Sequence, residues 1–365
     1  MDSKRVLIIA PAYYGIDTSI AKAFERNGFD PILVNFKVSS TLYEKVIRRL
    51  MSSLPVLNGI LKLFLWVSFR LENNRYISIA KRERPEFVFI IKGDSVFPGT
   101  IRYLKDKLGI PCVSYQWDDP FYSHAEHKGC DDFRRNNFAD AIADYSYIFV
   151  FDKHYINDIK ARGNENVEYL PLATDEEIYK RVELSDKEKE EYCYDVCFVG
   201  VPFPNRIEML NSLSKYKLGV FGDLWEGCAD KIKGGYFKGK ASGEKVLKLY
   251  CASKIVLNIH HPQSKYGANT RTFDIPSCGA FEMVDHKPGF EELFNIGEEI
   301  VCYKNTDELK KLIEYYLEHS EDRDSIARKG HDRAVREHTW YRRMNKVIKT
   351  LAERSIINKK SGRGE

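Results

Sequence analysis

The sequence has no marked excess of either charge: 57 Lys and Arg against 53 Asp and Glu leave +4 over 365 residues. That balance does not call for a partner as acidic as nucleic acid, and none is expected. No C-x-x-C pair occurs. The cysteines, Cys112, Cys130, Cys193, Cys197, Cys228, Cys251, Cys278 and Cys302, are scattered, several of them inside apolar runs. A disulfide frame or zinc site is thereby disfavoured, and reduced, buried thiols in a cytosolic protein are expected. There is no G-x-x-x-x-G-K-[ST] phosphate loop, no G-x-S-x-G elbow and no H-E-x-x-H. The first apolar run lacks a following G-x-G-x-x-G, which argues against a dinucleotide oxidoreductase. No repeat of fixed period is visible. The most apolar stretch, Leu54–Phe69, has 16 residues and is broken by Pro55, Gly59 and Lys62, whereas a spanning helix needs about 20. The start, MDSKRVLIIAP, enters a strand pattern directly, without the longer apolar core and small-residue cleavage site of a signal peptide.

What is present is alternation. RVLIIAP, PILVNFK, EFVFIIKG, PCVSYQW, YIFVFDK and VEYLPLA are short apolar runs rich in Val, Ile, Phe and Tyr, as parallel strands buried on both faces should be. Segments with helical spacing, such as Thr18–Asn27 and Phe97–Leu108, separate them. A second series follows: VCFVG, LGVFG, IVLNIHH, AFEMVD and EIVCYKN. The pattern predicts two doubly wound α/β domains, and 365 residues with 43% apolar content can furnish two cores. The expected division is an N-terminal domain over 1–175, a charged connection over 176–192, a C-terminal domain over 193–337, and a terminal helix with its tail over 338–365. The last stretch, Asp322–Ile356, reads as two helices, the second starting near His338.

Asn269–Asp285, NTRTFDIPSCGAFEMVD, is the most informative segment. It reads as a short capped helix feeding a buried strand, with Asn269 and Thr270 able to cap, Arg271 supplying a cation and Asp274 in the first turn. Backbone N–H groups and an arginine at the carboxyl end of a strand suit a diphosphate. An acid one turn further in suits a ribose hydroxyl. An ordinary capped helix with surface charges fits the composition equally well.

The segment resembles the C-terminal domain of CgeB-type glycosyltransferases, relatives of the large retaining GT-B transferases. Their pattern, roughly N-x-R-x-F-E-x-x-x-x-G, is met by Asn269, Arg271, Phe273, Asp274 and Gly279, with Asp in place of Glu. The downstream run from PGFEELFNIGEE to HTWYRR follows the same family, as do YDVCFVG with Arg206, and YQWDDP. The resemblance is strong over the C-terminal half and thin over the N-terminal half. It implies a GT-B architecture, two Rossmann-like domains facing each other across a cleft, with the C-terminal helix crossing back. It also implies transfer of a sugar from a nucleotide-diphosphate donor to a glycan or lipid-linked glycan. Retaining relatives place a further Glu eight residues before the ribose acid; that position is Tyr266 here, so retention does not follow.

The donor side is then expected at Gly200, Arg206, Lys265, Asn269, Thr270, Arg271 and Asp274, because a transferase working without metal must meet the departing diphosphate with cations and N–H dipoles. No cofactor or metal is expected. His260 and His261 end a strand and point oppositely across it, so at most one faces a donor sugar. His338 in the HTW phrase reads as structural. On the acceptor side, Asp118, Asp119 and His124 follow a strand and are candidates for the base that takes a hydroxyl proton. The acidic pair fits equally a metal site or an N-cap before Pro120. Tyr13 and Tyr14 suit stacking on a sugar, with Asp17 beside them.

Residues 41–84 carry nine Lys and Arg against three Glu around an apolar centre. A basic helix lying on anionic membrane and a helix packed on the sheet are both open readings. The expected location is the cytoplasm, with the inner face of the plasma membrane as a peripheral site. Two rivals stay open: a nucleotide-sugar epimerase on the same fold, and a non-catalytic subunit that binds sugar nucleotide or glycan.

Overall fold

The computed structural model describes residues 4–36, 58–121, 137–225 and 227–358. Its strands are β1 (Lys4–Pro11), β2 (Phe29–Phe36), β3 (Phe87–Ile91), β4 (Cys112–Gln116), β5 (Tyr147–Val150), β6 (Val167–Tyr169), β7 (Val196–Val199), β8 (Leu218–Phe221), β9 (Ile255–Asn258), β10 (Glu282–Asp285) and β11 (Val301–Tyr303). Its main helices are α1 (Ile16–Arg26), α2 (Asn58–Glu83), α3 (Asp186–Tyr192), α4 (Pro204–Asn211), α5 (Glu244–Ala252), α6 (Arg271–Ser277), α7 (Thr306–Glu318), α8 (Ser320–Glu337) and α9 (Trp340–Glu353). Each short apolar run of the two series contains a strand, because a parallel strand covered on both faces is largely apolar.

The chain forms two compact units, Met1–Pro171 with Trp340–Glu365, and Leu172–Thr339. In the first, six parallel strands lie in the order β2-β1-β3-β4-β5-β6. Val6–Ala10 and Phe87–Ile91 are fully buried at its centre. One face of α2 is buried through Phe69, Asn73, Tyr76 and Ala80, at the spacing of a helical stripe. The Asn73 carboxamide ties the helix down: it donates to Phe69 O and Ser95 O and accepts from Phe97 N and the Thr100 hydroxyl. The opposite face leaves Val67 and Leu71 exposed. Residues 66–83 thus pack on the sheet; 37–57, including part of the basic segment, lie outside the described residues. No described helix is long and apolar enough to cross a membrane. The last helix, α9, belongs to this unit: Arg343 donates to Pro171 O and Asn345 to the Asn27 side chain.

The second unit has five parallel strands in the order β11-β10-β9-β7-β8. Residues 176–192, expected as a bare connection, fall inside it. Ser185 and Glu188 form a capping box on α3, and Lys248 of α5 pairs with Glu188 at 2.7 Å. A charge-dense segment can therefore be ordered by capping and cross-helix pairing rather than by apolar burial. The described cysteines are all free thiols.

Both sheets reverse their winding once. The first does so between β1 and β3, the second between β7 and β9. The crevice beyond the carboxyl ends of such a strand pair is where doubly wound sheets bind ligands.

Candidate functional site

In the second unit, that edge brings together the loops after β7, β8 and β9 and the start of α6. Gly200 follows β7 directly. A Cβ there would lie 2.9 Å from Phe198 Cζ and 3.2 Å from Arg271 Nη2. Glycine thus lets the Arg271 guanidinium rest against bare backbone. Gly222, after β8, approaches closer still: its Cβ would sit 2.2 Å from Gly200 O. The same carbonyl accepts a hydrogen bond from Trp225 Nε1 at 2.8 Å.

Arg206, on α4, was expected to face a diphosphate but is only 3% exposed. Its Nε and Nη2 donate to Ile259 O at 3.0 and 2.7 Å, and its Nη1 to Val201 O at 2.9 Å. It clamps the β7 exit to the β9 exit, and only the planar arginine fork can make such a set. Burial, then the nearby Arg271 charge, push its guanidinium down to about 9.

Arg271 is the contrasting case. It is half-buried, and among the described residues no hydrogen bond or ion pair engages its guanidinium. Beside it stands the helix start. Asn269 Oδ1 accepts from Thr272 N at 3.3 Å, whereas the Thr270 side chain makes no capping bond, so Asn269 alone of the two expected caps serves.

The loop that delivers α6 is held by His260. This residue is 1% exposed. Its Nδ1 lies 2.7 Å from Asp285 Oδ1, which also accepts from His260 N at 2.8 Å. Its Nε2 accepts from Asn269 N at 3.0 Å. Both ring nitrogens are spent on structure, so the expected contact of His260 with a donor sugar is not available. His261 does point the other way, half-buried against the Phe203 ring. Lys287 pairs with Asp285 Oδ2 at 3.1 Å.

Beneath α6 lies a second polar layer. Asn258 Nδ2 bonds Glu282 Oε1 at 2.8 Å, and Asn258 Oδ1 accepts from Asn269 Nδ2 at 2.9 Å. Burial pushes the Glu282 carboxyl up to about 8. Asp274, expected to hold a ribose, is 4% exposed. Burial raises its carboxyl to about 8, against the pull of Thr174 and Arg271. Lys265 is exposed in the loop before α6. Tyr266 bonds the Glu292 carboxylate and lays its ring over Gly289. His338, as expected, is structural: its Nε2 lies 2.7 Å from Leu293 O and its ring packs on Phe273 and Phe294.

In the first unit, the corresponding edge carries Tyr13 and Tyr14, 50% and 66% exposed, with rings 4.5 Å apart. Lys92 directly follows β3 and pairs with Asp118 Oδ2 at 2.6 Å. Burial opposes its charge, but Asp118 and Asp94 hold the ammonium above its usual value. Tyr14 and Lys92 both have left-handed backbones, at φ 48° and 67°, conformations that cost non-glycine residues energy and collect at functional sites. Asp119 Oδ1 accepts from Phe121 N at 2.8 Å. Asp17 departs from expectation: it is buried and accepts from Asn35 Nδ2 at 2.7 Å, so it cannot meet an acceptor. His124 lies outside the described residues.

Residues 206–349 match the family described as glycosyl transferase-like. The spore protein CgeB of Bacillus subtilis (strain 168) is 23% identical over 270 residues, 69% of this chain and 78% of that protein. Both likenesses support a CgeB-type glycosyltransferase. Among solved structures, Anabaena HepE in complex with UDP superposes with a TM-score of 0.60 at 12% identity, covering 96% of this chain and 100% of that one. Sucrose-phosphate synthase from Thermosynechococcus elongatus gives 0.66 at 12% identity, with the same coverage. These likenesses show the fold, which is GT-B.

The two strand edges, each in its own unit, include groups that the sequence alone did not single out. Gly222 and Trp225 carry no local signal, since their partner Gly200 is distant in sequence. Asp285 and Lys287 were legible only as a strand end, and Lys92 as a strand residue. Their significance comes from the neighbours that parallel pairing sets beside them.

Proposed function

We propose that this protein moves a sugar from a nucleoside-diphosphate donor to a hydroxyl of a cell-surface glycan or lipid-linked glycan. Arg271 carries the reading: a guanidinium with no hydrogen bond or ion pair among the described residues, half-buried, set against bare Gly200 backbone at a sheet switch point, with the clamped cation Arg206 nearby. Two like charges so close favour an anion between or beside them. As the bond from the sugar to the diphosphate breaks, negative charge grows on the leaving oxygens, and fixed cations stabilise it without reorganising. HepE, which shares the fold, was solved with UDP. In the first unit, Tyr13 and Tyr14 offer stacking faces for a sugar acceptor, and Asp118 or Asp119 takes the hydroxyl proton as it attacks. An exposed aromatic pair favours an acceptor-using transferase over an epimerase, which needs no acceptor. The direct test is turnover of a panel of nucleotide sugars with and without glycan acceptors. Sugar transfer to an acceptor is expected, and donor consumption without transfer would point to the epimerase.

The reaction is expected to proceed in EDTA, since Arg271 and backbone dipoles supply the charge that a metal otherwise brings. Turnover that stops on chelation and returns only with Mg or Mn would sink this mechanism and turn Asp118 and Asp119 into candidate ligands.

The exposed side of α2 supports a peripheral contact with anionic membrane near a lipid-linked acceptor. Val67 and Leu71 are exposed there, and Arg70 lies over the Trp66 ring. Each basic residue near such a surface contributes about 1 kcal/mol, screened by salt. Co-sedimentation with phosphatidylserine vesicles should therefore fall as salt rises. It should be lost on neutralising Arg48, Arg49, Arg70 and Arg75 together, with nucleotide binding retained. Indifference of the wild type to such vesicles at low salt would leave α2 as a packed crossover helix only.

A further inference from the structure

From the bonding of its two ring nitrogens, we infer that His260 is a positioning residue that must be neutral to hold Arg271 at the donor site. The inference rests on the donor reading above only for its ligand-binding consequence. The ring closes the loop between β9 and α6 from inside. Nδ1 donates to Asp285, and Asp285 is fixed in turn by His260 N and by Lys287. Nε2 is left with only a lone pair, and that lone pair receives the Asn269 N–H. Asn269 is the residue whose side chain caps α6, two positions before Arg271. The side-chain bond from Asn269 to Asn258 completes the anchor.

A proton on Nε2 would set an N–H against the Asn269 N–H at 3.0 Å, a donor facing a donor. The loop would have to open, and Arg271 would move with it. The groups facing the ring all enter the balance. Asp285, at the end of β10, favours the imidazolium. Lys287, Arg271 and burial, with Phe290 packed on the ring, favour the neutral form. Burial is the largest influence, and the imidazole is pushed below its ordinary value. The sign follows. The unfolded chain takes up a proton before the folded one does, so the stability tied to this residue is complete above the ordinary imidazole value. It is lost as pH falls below that value and down through the folded one.

The test has two readouts. Imidazole nitrogen NMR of the whole protein, with His260→Gln to assign the signal, should show a neutral ring protonated on Nδ1 at about pH 7.5. An Nε2–H tautomer or an imidazolium at that pH overturns the inference whether or not any nucleotide binds. Calorimetric titration with UDP, GDP and ADP from about pH 8 to about pH 5.5 is the second readout. His260→Ala should bind about tenfold more weakly at the upper pH, having lost both bonds. His260→Gln can still accept from Asn269 and donate to Asp285, but it does not titrate. It should bind close to wild type at high pH and show a shallower loss in acid. The nucleotide's own phosphate takes up a proton in this range too, which is why the slopes are compared between proteins. Equal slopes in wild type and His260→Gln, or undiminished binding in His260→Ala, overturn the inference. Should no diphosphate bind the wild type, the donor reading fails, and the ring tautomer read by NMR still decides the role of His260.

Discussion

Replacing Arg271 with alanine is expected to cost roughly 2–4 kcal/mol of transition-state stabilisation, about 30- to 1,000-fold in kcat/KM. The fold should survive. No described group depends on this guanidinium for a hydrogen bond or ion pair, and it lies at a partly exposed edge. Removing it even relieves the charge that bears on Arg206. The loss should appear in both kcat and KM, since the cation meets ground-state phosphates and, more strongly, the charge that develops on bond breaking. Steady-state kinetics with the active nucleotide sugar measures this, and a thermal melt checks folding. Near-normal turnover in a folded Arg271→Ala protein would show the diphosphate to bind elsewhere. Arg206→Ala is the instructive contrast, because it leaves the carbonyls of Ile259 and Val201 without their donor and so acts through stability.

Gly222→Ala should be the most damaging single methyl in the second unit, at several kcal/mol, about 3 or more. Two penalties coincide. The residue has φ 142°, and its added Cβ would stand 2.2 Å from Gly200 O and 2.8 Å from Gly200 C. These are backbone atoms of the neighbouring strand exit, so no side-chain rotation relieves the clash. Either β8 moves away from β7 or the Gly200 carbonyl turns, breaking its bond from Trp225. Both outcomes shift the backbone on which Arg271 rests. Chemical denaturation with tryptophan fluorescence reads the stability, and nucleotide affinity reads the site. Gly227→Ala is the control: its φ of 93° carries the backbone penalty, but among the described residues no atom beyond its chain neighbours lies within 4 Å of the added Cβ. If the Gly222 and Gly227 variants lose stability equally, the close approach of the two loops contributes nothing.

Much of the architecture was legible in the chain, for a reason peculiar to parallel sheets. A strand covered by helices on both faces is a near-continuous apolar run, so VLIIA, FVFII and VCFV announce themselves without any partner. Crossover handedness and alternation then restrict the winding. Arg271 was legible too, because its setting, a strand end followed by a short helix, is local. What failed was the fate of polar residues whose partners are remote. Arg206 and His260 look like ligand-facing groups in sequence, yet Arg206 is consumed by the carbonyls of Val201 and the distant Ile259, and His260 by the Asn269 amide and the Asp285 carboxylate. Asp274 reads as a first-turn acid for a ribose and Asp17 as an acceptor-site residue, and both are buried.

The sequence by itself determined which segments are strands, where each sheet begins and which helix start carries the cation, since those depend on periodicity and on neighbours a few residues apart. Tertiary structure alone decided which polar groups stay available to a ligand. That outcome depends on burial and on pairing between distant loops, and a buried donor or acceptor takes whatever partner the fold places within reach. Arg271 is left without such a partner among the described residues, while the buried Arg206 is fully occupied with holding two loops together.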